Sequence, residues 1–173
     1  MFVIQPETPN QPAVATLFAQ ADARTAALYP GQDRAGLSAA QLMAEDTRFF
    51  VIRRQDDNLA VACGGYVPLA AGAAPALPDL SAGQGAPAAW GEIKRLFVDG
   101  TLRRQGLARM LMRHIEQHAL AQGFGGICLE TGIQSDAAIG LYASLGYVRA
   151  APFGPYQGDV NSVFMVKISA FLR

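Results

Sequence analysis

The sequence predicts a single mixed α/β domain of the α+β kind over residues 1–173, and three observations carry that prediction. Two β-rich runs, Phe49 to Arg54 and Leu59 to Val67, are joined by Gln55-Asp-Asp-Asn58, the composition of a hairpin turn, which makes the two strands antiparallel neighbours. A β-compatible run from Glu92 to Val98, a helix from Arg104 to Gln122 and an apolar run from Ile127 to Glu130 then follow in the order of a βαβ unit. That order makes the outer two strands parallel, with a right-handed crossover. Finally, a chain of 173 residues fits one domain and can bury a sizeable core.

The elements follow in chain order. Phe2 to Gln5 reads as a short first strand, and the alanine-rich stretch Gln11 to Leu28 as a helix that stops at Tyr29-Pro30-Gly31. Ser38 to Ala44 is a second, short helix. After the hairpin, Ala70 to Ala89 is rich in Ala, Gly and Pro without periodicity, the composition of a long mobile loop within one domain. Asp99 and Gly100 break the next strand, and Leu107, Leu111, Ile115 and Ala119 then recur at helical spacing. Asp136 to Ser144 is a further helix, with Gly146 where a left-handed residue closes it. Tyr147 to Arg149 and Ser162 to Ile168 are the last strands, separated by a loop that holds Phe153, Tyr156 and Asp159. Alternation puts Glu92, Lys94, Leu96 and Val98 on one face of their strand and Ile93, Arg95 and Phe97 on the other. A β-bulge would reverse that parity, so the facing stays open.

Acidic and basic residues balance at 14 each, which argues against nucleic acid or an anionic membrane as partner. The balance is uneven along the chain. Lys94, Arg95, Arg103, Arg104, Arg109 and Arg113 fall in one short segment whose sole acid is Asp99. The first N–H groups of a helix have no partner inside it and carry a partial positive charge, so the turn from Arg103 to Ala108 is suited to a small polyanion. Met1 to Asn10 lacks the basic and apolar regions of a secretory signal, and Val67 to Leu80 is interrupted by Pro68, Gly72, Pro75 and Pro78. A cytoplasmic protein without a membrane span is the expectation.

Several weaker signals resolve to structural readings. Cys63 and Cys128 sit in apolar runs without a CxxC pair and read as reduced, buried thiols. His114 and His118 share a helix face but lack a third ligand, since Glu116 projects to the opposite side, so no metal is expected. Gly123-Phe-Gly-Gly126 precedes a strand where a dinucleotide fingerprint would follow one, and Ser144-Leu-Gly146 lacks the first glycine of a nucleophile elbow.

Three features together resemble the GCN5-related N-acetyltransferase superfamily. They are Arg103-Arg-Gln-Gly106-Leu-Ala108 directly after a strand ending in Phe97-Val98, the helix Ala138-Ile-Gly-Leu-Tyr142-Ala-Ser-Leu-Gly146-Tyr147, and the element order from residue 49 onward. The resemblance implies a mixed, mainly antiparallel central sheet of about six to seven strands flanked by helices, with a parallel pair splayed at an acetyl-CoA site. It implies acetyl-CoA as donor, with the backbone of Leu96, Phe97 and Val98 along the pantetheine arm and Arg103, Arg104, Gln105, Gly106, Leu107 and Ala108 at the pyrophosphate. Ser135 stands where many members carry Asn, seven residues before the helix tyrosine, and can still donate a hydrogen bond. The stretches Leu28-Tyr-Pro-Gly, Arg48-Phe-Phe, Glu130-Thr-Gly, Phe153-Gly-Pro-Tyr156 and Ser162-Val-Phe-Met165 look like a bacterial branch of small-molecule acetyltransferases.

Acetyl transfer from a thioester needs a neutral amine and a proton for the departing thiolate. An alkyl amine with a pKa near about 10.4 is mostly protonated at neutral pH, so a base raises the attacking population. Glu92 is the candidate base; it could equally be a carboxylate paired with Lys94 or Arg95. Tyr142 is the candidate acid, its ordinary phenol matched to a thiol of pKa about 8.5, with simple packing as the alternative role. A backbone N–H near Phe97 or Val98 would serve the oxyanion. Tyr29 and Tyr156, in loops beside Gly and Pro where binding groups concentrate, are candidate acceptor-binding residues, with packing as the alternative; Asp159 could meet a substrate ammonium or cap the turn into the last strand. The expected activity is acetylation of a small-molecule amine in a ternary complex, without a metal. The rivals are a non-catalytic acyl-CoA sensor and an enzyme acting on a protein N-terminus or lysine. Exposed strand edges at the C-terminal end leave room for a homodimer.

Overall fold

A computed structural model describes residues 1–70, 72–76, 87, 89–154 and 158–168. The chain divides into two compact units, Met1–Val67 with Lys94–Ile115, and Pro68–Ile93 with Glu116–Arg173.

The first unit begins with β1 (Phe2–Pro6), α1 (Pro12–Leu28), α2 (Ala39–Ala44), β2 (Arg48–Arg54) and β3, which runs Ala60–Pro68. β1 pairs antiparallel with β2, and β2 with β3, so the hairpin expected around Gln55–Asn58 forms; Asn58 takes a positive φ of 57° there. Pro12 opens α1 in the first turn, where the missing N–H has no helical partner to lose. α1 buries Val14, Leu17 and Phe18 against Phe49, Val51 and Cys63, and Phe18 meets Phe49 edge-to-face at 6.0 Å. Ser38 and Gln41 cap α2 reciprocally, each side chain bonding the other's backbone N–H. A Cβ at Gly65 would run into the Arg48 carbonyl oxygen, so the close approach of β2 and β3 requires glycine.

β4 (Trp90–Val98) ends in a 3₁₀ turn at Gly100–Leu102, and α3 covers Leu107–Ala121. The spacing predicts this helix from Arg104, three residues earlier than it forms. Arg104 at φ 62° and Gly106 at φ 80° are left-handed, a backbone that cannot continue a right-handed helix.

In the second unit, β5 (Gly126–Gly132) pairs parallel with the start of β4 through Trp90↔Gly126, Gly91↔Ile127 and Glu92↔Cys128. β7 (Ser162–Ile168) runs antiparallel to the whole of β5, and the short β6 (Val148–Arg149) pairs with β7 on its other side. α4 (Asp136–Ser144) joins β5 to β6 and is closed by Gly146 at φ 89°. A Cβ at Gly126 would press 2.6 Å from the Trp90 ring, which packs with Cys128, Phe153, Phe164, Val166 and Ile168. Where the long loop leaves and re-enters the sheet, the Leu69 N–H donates to the Trp90 carbonyl at 2.9 Å. Most of that loop lies outside the described residues.

The seven strands follow the order β1-β2-β3-β4-β5-β7-β6, mostly antiparallel with β4 and β5 parallel, which is the mixed sheet that the resemblance implies. Glu116 is buried and ion-paired with Lys167 of β7 at 3.0 Å.

Candidate active site

In the first unit, the turn after β4, the expected anion cradle, is fixed by its own hydrogen bonds. The Asp99 N–H donates to the Val61 carbonyl at 2.9 Å, and the Asp99 carboxylate accepts from the Thr101 N–H, the Thr101 hydroxyl and the Gln20 amide. These bonds, the Thr101 hydroxyl first, hold the Asp99 carboxyl below its ordinary range. The fixed turn presents Arg103, Arg104, Gln105 and Gly106 to solvent, and buried Leu107 anchors the helix behind them. The first helical bond is Met110 N–H to Gly106 carbonyl at 2.9 Å, so the N–H groups of Leu107 and Ala108 precede the helical ladder. No acidic residue occupies the first turn of α3. An added Cβ at Gly106 meets no protein atom within 4 Å, so within the fold this glycine is required by its positive φ.

The β4 backbone that precedes the cradle settles the open question of parity. Arg95 has φ 55°, which interrupts alternation between Glu92 and Val98. Its guanidinium is carried to α1, where it pairs with Asp22 at 2.5 Å and lies 3.9 Å from the Phe18 ring centroid. Arg95 is thereby committed to Asp22. Leu96, Phe97 and Val98 are half-buried, Leu96 backs closely on Gly64, and Arg103 lies 5.8 Å over the Phe97 ring. Tyr29, an expected acceptor residue, is buried at the C-terminal cap of α1 under the Arg34 guanidinium. Burial pushes the Cys63 thiol up to about 12, so it stays an inert thiol.

In the second unit, Glu92 is 6 % exposed beside Cys128 in the parallel register, and the Cys128 thiol donates to the Gly91 carbonyl at 3.6 Å. Tyr142 is buried on α4, its ring 5.9 Å from that of Tyr147. Burial, and then the charge of Glu130, push its phenol well above the ordinary range. The group therefore keeps its proton throughout neutral and mildly alkaline pH. Burial and the Glu116 charge act likewise on Tyr147. Ser135 is buried at the start of α4, where its side chain does not cap the helix.

Sequence reasoning missed Glu130. Its carboxylate accepts a 2.6 Å bond from the Ser162 hydroxyl, and that hydroxyl also lies 3.4 Å from Asp159. Asp159 accepts from the Asn161 N–H at 2.8 Å and lines a cavity of about 310 Å³ together with Arg149, Ser162 and Phe164. The signal for Glu130 was its place at the end of β5, opposite Phe164 in the register, which only the pairing of β5 with β7 reveals. Tyr156 lies outside the described residues.

A mixed, mostly antiparallel sheet with one parallel pair, flanked by helices, is the acyltransferase fold that the resemblance implies. Residues 17–147 match the Acetyltransferase (GNAT) family, and the chain belongs to that family. It is 35 % identical over 161 residues to the IAA acetyltransferase of Azospirillum brasilense, covering 93 % of this chain and 94 % of that protein. Among solved structures, an acyl-CoA N-acyltransferase structure from Klebsiella pneumoniae subsp. pneumoniae MGH 78578 superposes with a TM-score of 0.73 at 30 % identity, covering 97 % of each chain. The PaiA N-acetyltransferase of Thermoplasma acidophilum, solved in complex with coenzyme A, shares the fold with a TM-score of 0.70 at 12 % identity, covering 97 % of this chain and 99 % of that one. The chain is an acyltransferase that uses acetyl-CoA as donor. Among the described residues no helix is long and apolar enough to cross a membrane.

Proposed function

We propose that the chain acetylates the primary amine of a small molecule by direct attack on acetyl-CoA in a ternary complex, in the cytoplasm. The observation that carries this reading is Tyr142, a phenol kept neutral by burial and by Glu130 on the helix that follows the parallel strand pair. Leu96, Phe97 and Val98 lie along the donor's pantetheine arm, the cradle from Arg103 to Ala108 takes its pyrophosphate, and Ser135 donates a hydrogen bond to the donor. Glu92 receives the amine proton as the C–N bond forms. The C–S bond breaks, and Tyr142 passes its proton to the departing sulfur, to be reprotonated from solvent. The raised phenol keeps Tyr142 protonated, so a proton is at hand for the departing sulfur. Placing both reactants on one protein removes the need for a metal or a covalent enzyme intermediate.

The reading is tested by free-thiol release from acetyl-CoA with a panel of amines, amino acids, polyamines and peptides. Turnover of small amines above peptides supports it. Tight acetyl-CoA binding without turnover of any acceptor would assign the chain to acyl-CoA sensing, and turnover of peptides alone would assign it to protein acetylation.

A further inference from the structure

The cavity that Asp159 lines is not accounted for by donor binding. It is formed by the end of β6, the start of β7 and the described part of the loop between them, and its volume of about 310 Å³ is at the small end of ligand pockets. Its chemistry is two-sided. Arg149 is the sole cation among the described residues that line it, and Asp159 is the sole acid. Phe164 supplies an apolar floor and is itself held edge-to-face on Phe153 at 5.3 Å. On the acidic side the Ser162 hydroxyl donates to Glu130 at 2.6 Å and lies 3.4 Å from Asp159. Glu130 is in turn the carboxylate whose charge reaches the Tyr142 phenol.

We propose that this cavity is the acceptor subsite and that it selects a small amino carboxylate, with the carboxylate on Arg149 and the ammonium drawn toward Asp159 and the Ser162–Glu130 pair. This rests on the acetyl-transfer reading and names its substrate class. A guanidinium grips a carboxylate through two parallel N–H bonds, whereas paired carboxylates favour an ammonium, so a ligand carrying both groups satisfies both ends. Charge disfavours the alternatives. A peptide N-terminus has no carboxylate next to its amine, and an aminoglycoside or a simple alkylamine leaves Arg149 unused.

The test pairs each amino acid with the amine that lacks its carboxylate, such as leucine with isoamylamine and phenylalanine with 2-phenylethylamine, and compares kcat/KM within each pair. Wild type should prefer the amino acid. Arg149→Gln, at an exposed position, should lower that preference about 10- to 100-fold, the weight of a charge-assisted hydrogen bond, and Arg149→Lys should retain part of it. Equal rates within pairs, or a preference that survives Arg149→Gln, would overturn the subsite while leaving acetyl transfer standing. If no acceptor is turned over, acetyl transfer to small amines fails, and calorimetric titration of leucine and isoamylamine into both proteins decides the subsite alone. Loss of leucine binding on Arg149→Gln supports it, and indifference or absent binding refutes it.

Discussion

The ion pair between Glu116 and Lys167 offers a stability test with a sign that cannot be mistaken. The two groups are 3.0 Å apart with side chains 5 % and 7 % exposed, so their attraction at an effective dielectric of about 20 is about 5.5 kcal/mol before desolvation is subtracted. Removing one partner strands the other, which for buried pairs costs about 3–5 kcal/mol, a large share of the 5–15 kcal/mol typical of a domain. Lys167→Met and Glu116→Gln should therefore each lower the unfolding free energy by about 3–5 kcal/mol. Tyr147 lies beside the pair, with its ring 5.7 Å from the lysine nitrogen. Urea unfolding at pH 7 measures both losses. Losses below about 1 kcal/mol would refute the reasoning.

Three further outcomes are expected. Tyr142→Phe keeps the ring contact with Tyr147, so it should fold and bind acetyl-CoA normally while kcat falls about 100-fold or more; steady-state kinetics with calorimetric donor binding checks this, and unchanged kcat removes Tyr142 from the mechanism. Gly106→Ala meets no neighbour but forces alanine to φ 80°, a strain of about 1 kcal/mol, and should weaken acetyl-CoA binding several-fold by calorimetry with secondary structure intact by circular dichroism. Glu7 is held below its ordinary range chiefly by its two bonds from Arg53, so the stability it contributes is present above the usual carboxylate range and lost as pH falls through its lowered value; acid unfolding of Glu7→Gln should be shallower than that of wild type.

The ladder of elements was legible because each rests on local chemistry. The hairpin turn at Gln55–Asn58, the capped helix after Ser38 and the left-handed Gly146 are all set by nearest neighbours in the chain. What escaped depends on pairing across the sheet. Arg95 breaks the alternation of β4 because Asp22 and Phe18, more than 70 residues away, reward its departure, and no periodicity shows that. The pair of Glu116 with Lys167 joins residues 51 apart in the chain, a separation that no local pattern marks. Glu130, Ser162 and Asp159 come together only through the register of β5 with β7. The helix start was misplaced by three residues because Arg104 in a left-handed conformation carries no sequence mark, unlike glycine.

The most direct test of acetyl transfer follows both products of one reaction with wild-type protein, acetyl-CoA and the acceptor panel. Free thiol is counted by colorimetry and the acceptor by mass spectrometry. The account predicts one N-acetyl group on a small amine for each thiol released, with the rate abolished by omitting the amine. Thiol release without an acetylated amine, or firm acetyl-CoA binding with neither product, would contradict it.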